Sequence, residues 1–127
     1  MLLAACGSAK GASREIFQLA SPSSWVLVGT PWVFKEVENN LDGFPTEAKA
    51  VWAKLQGQID LHSDVLTLDR PVVFEPVKDR PVLFSALAWA DILLTLDRRD
   101  FGPLLGRTFY GLTVLTPGMF LMSLRGS

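Results

Sequence analysis

The chain has 127 residues, enough for one domain over residues 1–127, and its composition of 49% hydrophobic and 20% charged residues excludes wholesale disorder. The net charge of −1 gives no general attraction to nucleic acid or to an anionic membrane, so such binding would need a local patch. The single cysteine, Cys6, excludes an internal disulfide framework and fits a reducing compartment. We therefore expect a cytoplasmic protein.

The first half of the chain predicts alternating helices and strands. Apolar spacing and capping residues predict, in chain order, a short apolar strand at residues 2–5, a helix at 13–20, a strand at 25–28, and helices at 31–41 and 46–58. Thr30 followed by Pro31 is typical of a helix start. Residues 65–68 and 72–74 are weaker strand candidates, because Pro71 and Pro76 interrupt them.

The second half has clearer signals. Asp79, followed by Arg80 and Pro81, predicts a helix that runs to about residue 90. Residues 91–96 and 112–115 predict strands, and Thr116-Pro117 predicts a last helix over residues 119–124. The uncharged run 108–124 is interrupted by Pro117-Gly118, so we expect no membrane span. Strands separated by helices indicate an α/β protein with a parallel sheet.

Acidic residues stand where such a sheet binds ligands. Asp97 follows a predicted strand, and Asp79 stands at the start of the helix before it, while Glu36 lies in the helix after an earlier strand. Hard oxygen ligands that converge in one place suit Mg²⁺ or Mn²⁺. Without a cation, a cluster of acids needs a proton or a cationic neighbour.

Three segments carry a family resemblance. The most specific runs from Lys78-Asp79-Arg80-Pro81 to Thr95-Leu96-Asp97-Arg98-Arg99-Asp100-Phe101-Gly102. The others are residues 21–41, which contain Phe34-Lys35-Glu36-Val37, and the closing Gly111-Leu112-Thr113-Val114-Leu115-Thr116-Pro117. Together these segments resemble the PIN-domain family.

The resemblance implies a three-layer α/β/α fold with a mostly parallel sheet of about five strands. It also implies a metal-dependent ribonuclease with RNA as its substrate. Many members of the family are toxins of prokaryotic toxin–antitoxin pairs. The resemblance therefore implies an antitoxin protein and a second copy of the chain as further partners. Its cofactor would be Mg²⁺ or Mn²⁺. The implied roles are metal-binding and catalytic for Glu36, Asp79 and Asp97, auxiliary for Thr95 and Asp100, and substrate-binding for Arg80, Arg98 and Arg99.

The family pattern also has an aspartate at the end of its first strand. Here that aspartate would lie three residues before Met1, so we expect a truncated first strand and impaired activity. Two other interpretations stay open. The chain could be a catalytically inactive PIN-like module that binds RNA or protein. It could also be an unrelated α/β protein in which Asp79 caps a helix, Asp97 belongs to a turn and Glu36 is a surface residue.

Overall fold

Helices and strands alternate along the chain in the computed structural model, which describes residues 11–67, 74 and 77–125. The helices are α1 (Ala12–Ser23), α2 (Pro31–Asn40), α3 (Glu47–Gln56), α4 (Arg80–Trp89) and α5 (Pro117–Arg125). The strands are β1 (Leu27–Gly29), β2 (Ile59–Leu61), β3 (Ile92–Leu94), β4 (Arg107–Phe109) and β5 (Leu112–Leu115). Short 3₁₀ turns lie at Leu41–Gly43, Val77–Asp79 and Gly102–Leu104. The mixed α/β class is confirmed.

The strands of the described residues form two small sheets and not one five-stranded parallel sheet. β1 and β2 pair in parallel, and β3 pairs in parallel with the central strand β5, whose other neighbour β4 is antiparallel. The predicted strand at residues 2–5 lies outside the described residues, as do residues 68 and 72–73 of the two weaker candidates. Residues 65–67 are not in a strand.

Two observed strands, β2 and β4, were not predicted. β4 and β5 are joined by Tyr110 and Gly111, which both have positive φ, 50° and 87°. Two consecutive residues with positive φ are typical of the two-residue turns that connect antiparallel strands. Because Tyr110 is not a residue type that usually adopts this conformation, the hairpin gives little signal in the sequence.

The predicted helix starts agree with the structure. α2 begins at Pro31 after an extended Thr30, although the Thr30 side chain forms no capping hydrogen bond. The carboxylate of Asp64 accepts from the Trp32 amide instead, at 3.2 Å. At the start of α5, Thr116 Oγ1 accepts from the Met119 amide at 3.1 Å, so this threonine is an N-cap.

Two hydrophobic clusters form the core. One packs α1, α2 and α3 around β1 and β2, and includes Phe17, Val37 and Trp52. The other packs α4 against β3, β4 and β5, and includes Leu83 and Val114, which are both fully buried. α1 also packs against α5, and α2 against α4, so helices join the two clusters.

The segment 62–67 lies between the two clusters and is bonded to both sides. Besides the contact of Asp64 with α2, the Val65 amide donates to Ser85 Oγ at 2.9 Å, and Trp89 Nε1 donates to the Ser63 carbonyl at 2.9 Å. Ser85 and Trp89 belong to α4. The segment therefore fixes α2 relative to α4.

No helix within the described ranges is both long enough and apolar enough to span a membrane.

Candidate metal centre

Three aspartates converge beside the end of β3. Asp79 ends the 3₁₀ turn that leads into α4, and Asp97 and Asp100 lie in the turn that follows β3. One carboxylate oxygen from each lies within 4.8 Å of those of the other two. Asp79 lies 18 and 21 positions before Asp97 and Asp100 in the chain, and the packing of α4 against β3 brings it to them.

Hydrogen bonds fix the position of Asp97. Its Oδ1 atom accepts from the amides of Arg99 and Asp100, each at 3.0 Å, and its own amide donates to Thr95 Oγ1 at 3.0 Å. The Thr95 amide in turn donates to the Leu115 carbonyl at 3.0 Å, which anchors the turn to β5. Asp97 is therefore a turn residue, as one interpretation held, and also a member of the acidic group. Thr95 supports it through its hydroxyl.

Asp79 does not cap α4, because its side chain forms no hydrogen bond to the helix start. Its Oδ2 atom is buried and has no hydrogen-bond partner, and the same is true of Asp100 Oδ2. Lys78 Nζ lies 3.1 Å from Asp100 Oδ2, an ion pair without the direction of a hydrogen bond. A buried carboxylate oxygen without a hydrogen bond is costly. A bound cation would satisfy the oxygen of Asp79 and would add to the charge that Lys78 already places beside Asp100.

The pKa values of Asp79 and Asp100 also favour a bound cation. Partial burial, followed by the proximity and negative charge of the Asp100 carboxylate, raises the pKa of Asp79 to about 6. The neighbouring Asp79 carboxyl group and the Lys78 ammonium group lower the pKa of Asp100. Below about pH 6, Asp79 therefore holds a proton beside the Asp100 carboxylate, and a divalent cation would compete with that proton.

The size of the group suits a small hard cation. Mg²⁺ binds oxygen ligands at about 2.1 Å in octahedral geometry, so opposite ligands lie about 4.2 Å apart. Adjacent ligands in that geometry lie about 3.0 Å apart, so three oxygens that all lie within 4.8 Å of one another would move closer together to bind one ion. The residues present therefore fit Mg²⁺ or Mn²⁺, with Asp79, Asp97 and Asp100 as ligands.

Glu36 is not a member of this group. It lies in α2, where its side chain is exposed and its backbone carbonyl accepts from Asn40 Nδ2 at 2.7 Å. α2 packs against α4, so the helix that carries Glu36 neighbours the one that follows Asp79. The structure nevertheless brings together Asp79, Asp97 and Asp100, and leaves Glu36 outside.

The three arginines that the resemblance assigns to substrate differ in environment. Arg80 is partly buried, and its Nε donates to the Phe74 carbonyl at 2.8 Å, which gives it a structural role. Arg98 and Arg99 are both exposed. Arg98 lines a cavity of about 320 Å³ between the starts of α1 and α5, and Arg99 does not.

No pattern in the sequence assigns the other residues of this cavity to a site. They include Ser13 near the start of α1, and Thr116 and Gly118 at the start of α5. The helix starts were each visible as capping patterns, but their meeting in space depends on the packing of α1 against α5.

Comparisons of the chain with protein-family models, with curated proteins and with solved structures find no match.

Proposed function

We propose that this protein is a Mg²⁺- or Mn²⁺-dependent ribonuclease of PIN type that hydrolyses phosphodiester bonds at Asp79, Asp97 and Asp100. The observation that carries the proposal is the convergence of these three carboxylates, two of which have a buried oxygen without a hydrogen bond. The proposal also includes a cytoplasmic location and an RNA substrate. An antitoxin protein and a second copy of the chain are its proposed partners.

The position of the group supports this function. In open α/β sheets, ligands bind beyond the carboxyl ends of parallel strands. β3 and β5 are parallel with Leu94 opposite Leu115, so Asp97 and Thr116 follow neighbouring strand ends. A polyanionic substrate that approaches this edge would reach the three carboxylates only if a cation neutralised them.

Each residue would contribute a distinct effect. When bound, a divalent cation polarises a phosphodiester and stabilises the charge that develops during hydrolysis. Asp79, Asp97 and Asp100 would hold this cation, and Thr95 would keep Asp97 in place through the hydrogen bond to its amide. Lys78, paired with Asp100, would limit the repulsion between the carboxylates when the cation is absent.

A cleavage assay tests the proposal. Purified protein is incubated with single-stranded RNA in Mn²⁺, in Mg²⁺ or without divalent cations, and the wild type is compared with Asp97→Asn and Asp91→Asn. Asp91 is an exposed aspartate just before β3 and outside the group, so Asp91→Asn is the matched control. We expect cleavage that needs a divalent cation, that falls at least about 100-fold in Asp97→Asn, and that is unchanged in Asp91→Asn.

Two results would contradict the proposal. Equal cleavage by Asp97→Asn and wild type would show that the activity arises elsewhere or from a contaminant. Absence of cleavage by protein shown to bind Mn²⁺ would favour the catalytically inactive alternative.

The exposed position of Glu36 outside the group is the observation that favours this alternative. Under it, the chain would bind RNA or protein without hydrolysing a phosphodiester. Binding of labelled RNA that is not cleaved in Mn²⁺ would then be the expected result.

A further inference from the structure

Lys78 supplies a positive charge at the outer side of the three aspartates. Its Nζ atom lies 3.1 Å from Asp100 Oδ2, and it directly precedes Asp79 in the 3₁₀ turn that leads into α4. The Asp100 side chain is only 16% exposed, whereas the Lys78 side chain is 74% exposed. The pair thus consists of a largely buried carboxylate and an ammonium group on the side from which a ligand would arrive.

The ammonium group is free to leave Asp100 for another anion. Although Nζ lies close to Asp100 Oδ2, that oxygen has no hydrogen bond, so the contact is an ion pair without directional bonding. A lysine carries its three donors on a flexible four-carbon stem, and an exposed ion pair of this kind contributes little to stability. A turn of the Lys78 side chain towards a ligand would therefore cost little free energy.

The charge of the group creates a need for this lysine. The three aspartates carry three negative charges when they are ionised, and a divalent cation would neutralise two of them. Without a further positive charge, the cation-bound group would stay anionic and would repel a phosphodiester, which is itself an anion. Lys78 provides the missing positive charge at the edge of the group.

We infer that Lys78 is a substrate-binding residue whose ammonium group contacts a phosphate oxygen of the phosphodiester that reaches the three aspartates. The inference rests on the proposed function, which supplies the cation and the RNA. Lysine is a common phosphate ligand and acts as a point charge. The resemblance gives this role to Arg80, Arg98 and Arg99, and the ion pair with Asp100 adds Lys78, which lies closer to the carboxylates than the resemblance required.

Binding of a phosphodiester that is not cleaved tests the inference first. Dimethyl phosphate is added to protein in excess over Mn²⁺, and the broadening of its ³¹P signal by protein-bound Mn²⁺ measures its affinity. We expect saturable broadening with the wild type, an affinity at least about fivefold lower in Lys78→Gln, and an affinity within about threefold of the wild type in Lys78→Arg, which keeps the charge. Lys49→Gln is the matched control, because Lys49 forms an exposed ion pair with Asp42 at 2.9 Å. It should stay within about twofold of the wild type.

The affinity for Mn²⁺ shows whether Lys78→Gln leaves the three carboxylates in place. Measured by calorimetry, this affinity should be equal to that of the wild type or higher, because the substitution removes a positive charge beside the cation. The substitution should thus weaken binding of the anion without weakening binding of the cation. A lower Mn²⁺ affinity in Lys78→Gln would overturn the inference, since Lys78 would then act by holding the carboxylates.

Equal affinity for dimethyl phosphate in Lys78→Gln and the wild type would also overturn it. RNA cleavage in Mn²⁺ separates this inference from the proposed function. We expect kcat/KM to fall at least about tenfold in Lys78→Gln and to stay within about twofold in Lys49→Gln. Cleavage that is unchanged in Lys78→Gln would reject the role of Lys78 and keep the ribonuclease. Binding of dimethyl phosphate that depends on Lys78, in a protein that cleaves no RNA, would keep the role of Lys78 and reject the ribonuclease. Absence of Mn²⁺ binding by the wild type would reject both.

Discussion

Replacement of Asp79 by asparagine should stabilise the metal-free protein and remove its response to metal. Two like charges about 5 Å apart repel by about 3 kcal/mol at an effective dielectric constant near 20. Asp79 is only partly buried and Lys78 lies nearby, so solvent and this lysine reduce the repulsion, and we expect a gain of about 1 kcal/mol in the free energy of unfolding. For a chain of this length, that gain raises Tm by about 3 to 5 °C.

The pH dependence of this effect has a definite sign. Because the folded state raises the pKa of Asp79 from 3.8 to about 6, the folded protein holds its proton more tightly than the unfolded chain does. The contribution of Asp79 to the stability of the metal-free wild type is therefore largest below about pH 4. It falls as the pH rises through about 6. Asp79→Asn should lack this decline, so the stabilisation by the substitution should be visible at pH 7.5 and small at pH 4.

Thermal unfolding followed by circular dichroism, with and without Mn²⁺, measures both effects. A cation present at about 100 times its Kd stabilises the folded wild type by about 2.7 kcal/mol, and the variant should lose most of this gain. The order of Tm values should therefore reverse: the variant melts later without metal, and the wild type melts later with it. Asp91→Asn serves as the control and should follow the wild type. A lower Tm for Asp79→Asn in metal-free buffer at pH 7.5 would refute the reasoning, because it would mean that Asp79 stabilises the fold.

Three further predictions test the rest of the structure. A proton competes with Mn²⁺ for Asp79. The Mn²⁺ affinity measured by calorimetry should therefore rise by up to about tenfold per pH unit from pH 5 to 6 and level off above about pH 7. An affinity that does not change with pH would contradict binding of Mn²⁺ at Asp79. Glu36→Gln should leave Mn²⁺ affinity within about threefold of the wild type, whereas Asp97→Asn should lower it at least about tenfold; equal losses would place Glu36 among the ligands. Gly29→Ala should lower the free energy of unfolding in urea by about 1 to 3 kcal/mol, because its Cβ would lie 2.8 Å from Phe34; an unchanged midpoint would show that the ring moves aside freely.

Much of the fold could be predicted from local signals. The helices α1, α2, α4 and α5 combine apolar spacing with capping residues or proline at their starts, and β3 and β5 are apolar runs between polar turns. β2 could not be predicted because Ile59 and Leu61, with a polar residue between them, give too short a pattern. The antiparallel β4 also has no local signal of its own, since it depends on the positive φ of Tyr110.

The candidate site was predictable only in part. Asp97 and Asp100 are close in the chain and share one turn, so their proximity follows from the sequence. The approach of Asp79 depends on the packing of α4 against β3, and here the resemblance supplied what spacing could not. The resemblance placed Glu36 in the same set, but the group in the structure does not include it. The cavity with Ser13 requires contact between the first and last described helices, which no local pattern encodes.

The segment 62–67 limits how α2 and α4 can separate. Its hydrogen bonds to Trp32, Ser85 and Trp89 connect helices that belong to different hydrophobic clusters. Neither cluster can therefore come apart through a movement of α2 away from α4 without loss of these bonds. The amide proton of Val65, whose bond to Ser85 is partly buried, should for this reason exchange with solvent mainly in the rare events that separate the two halves.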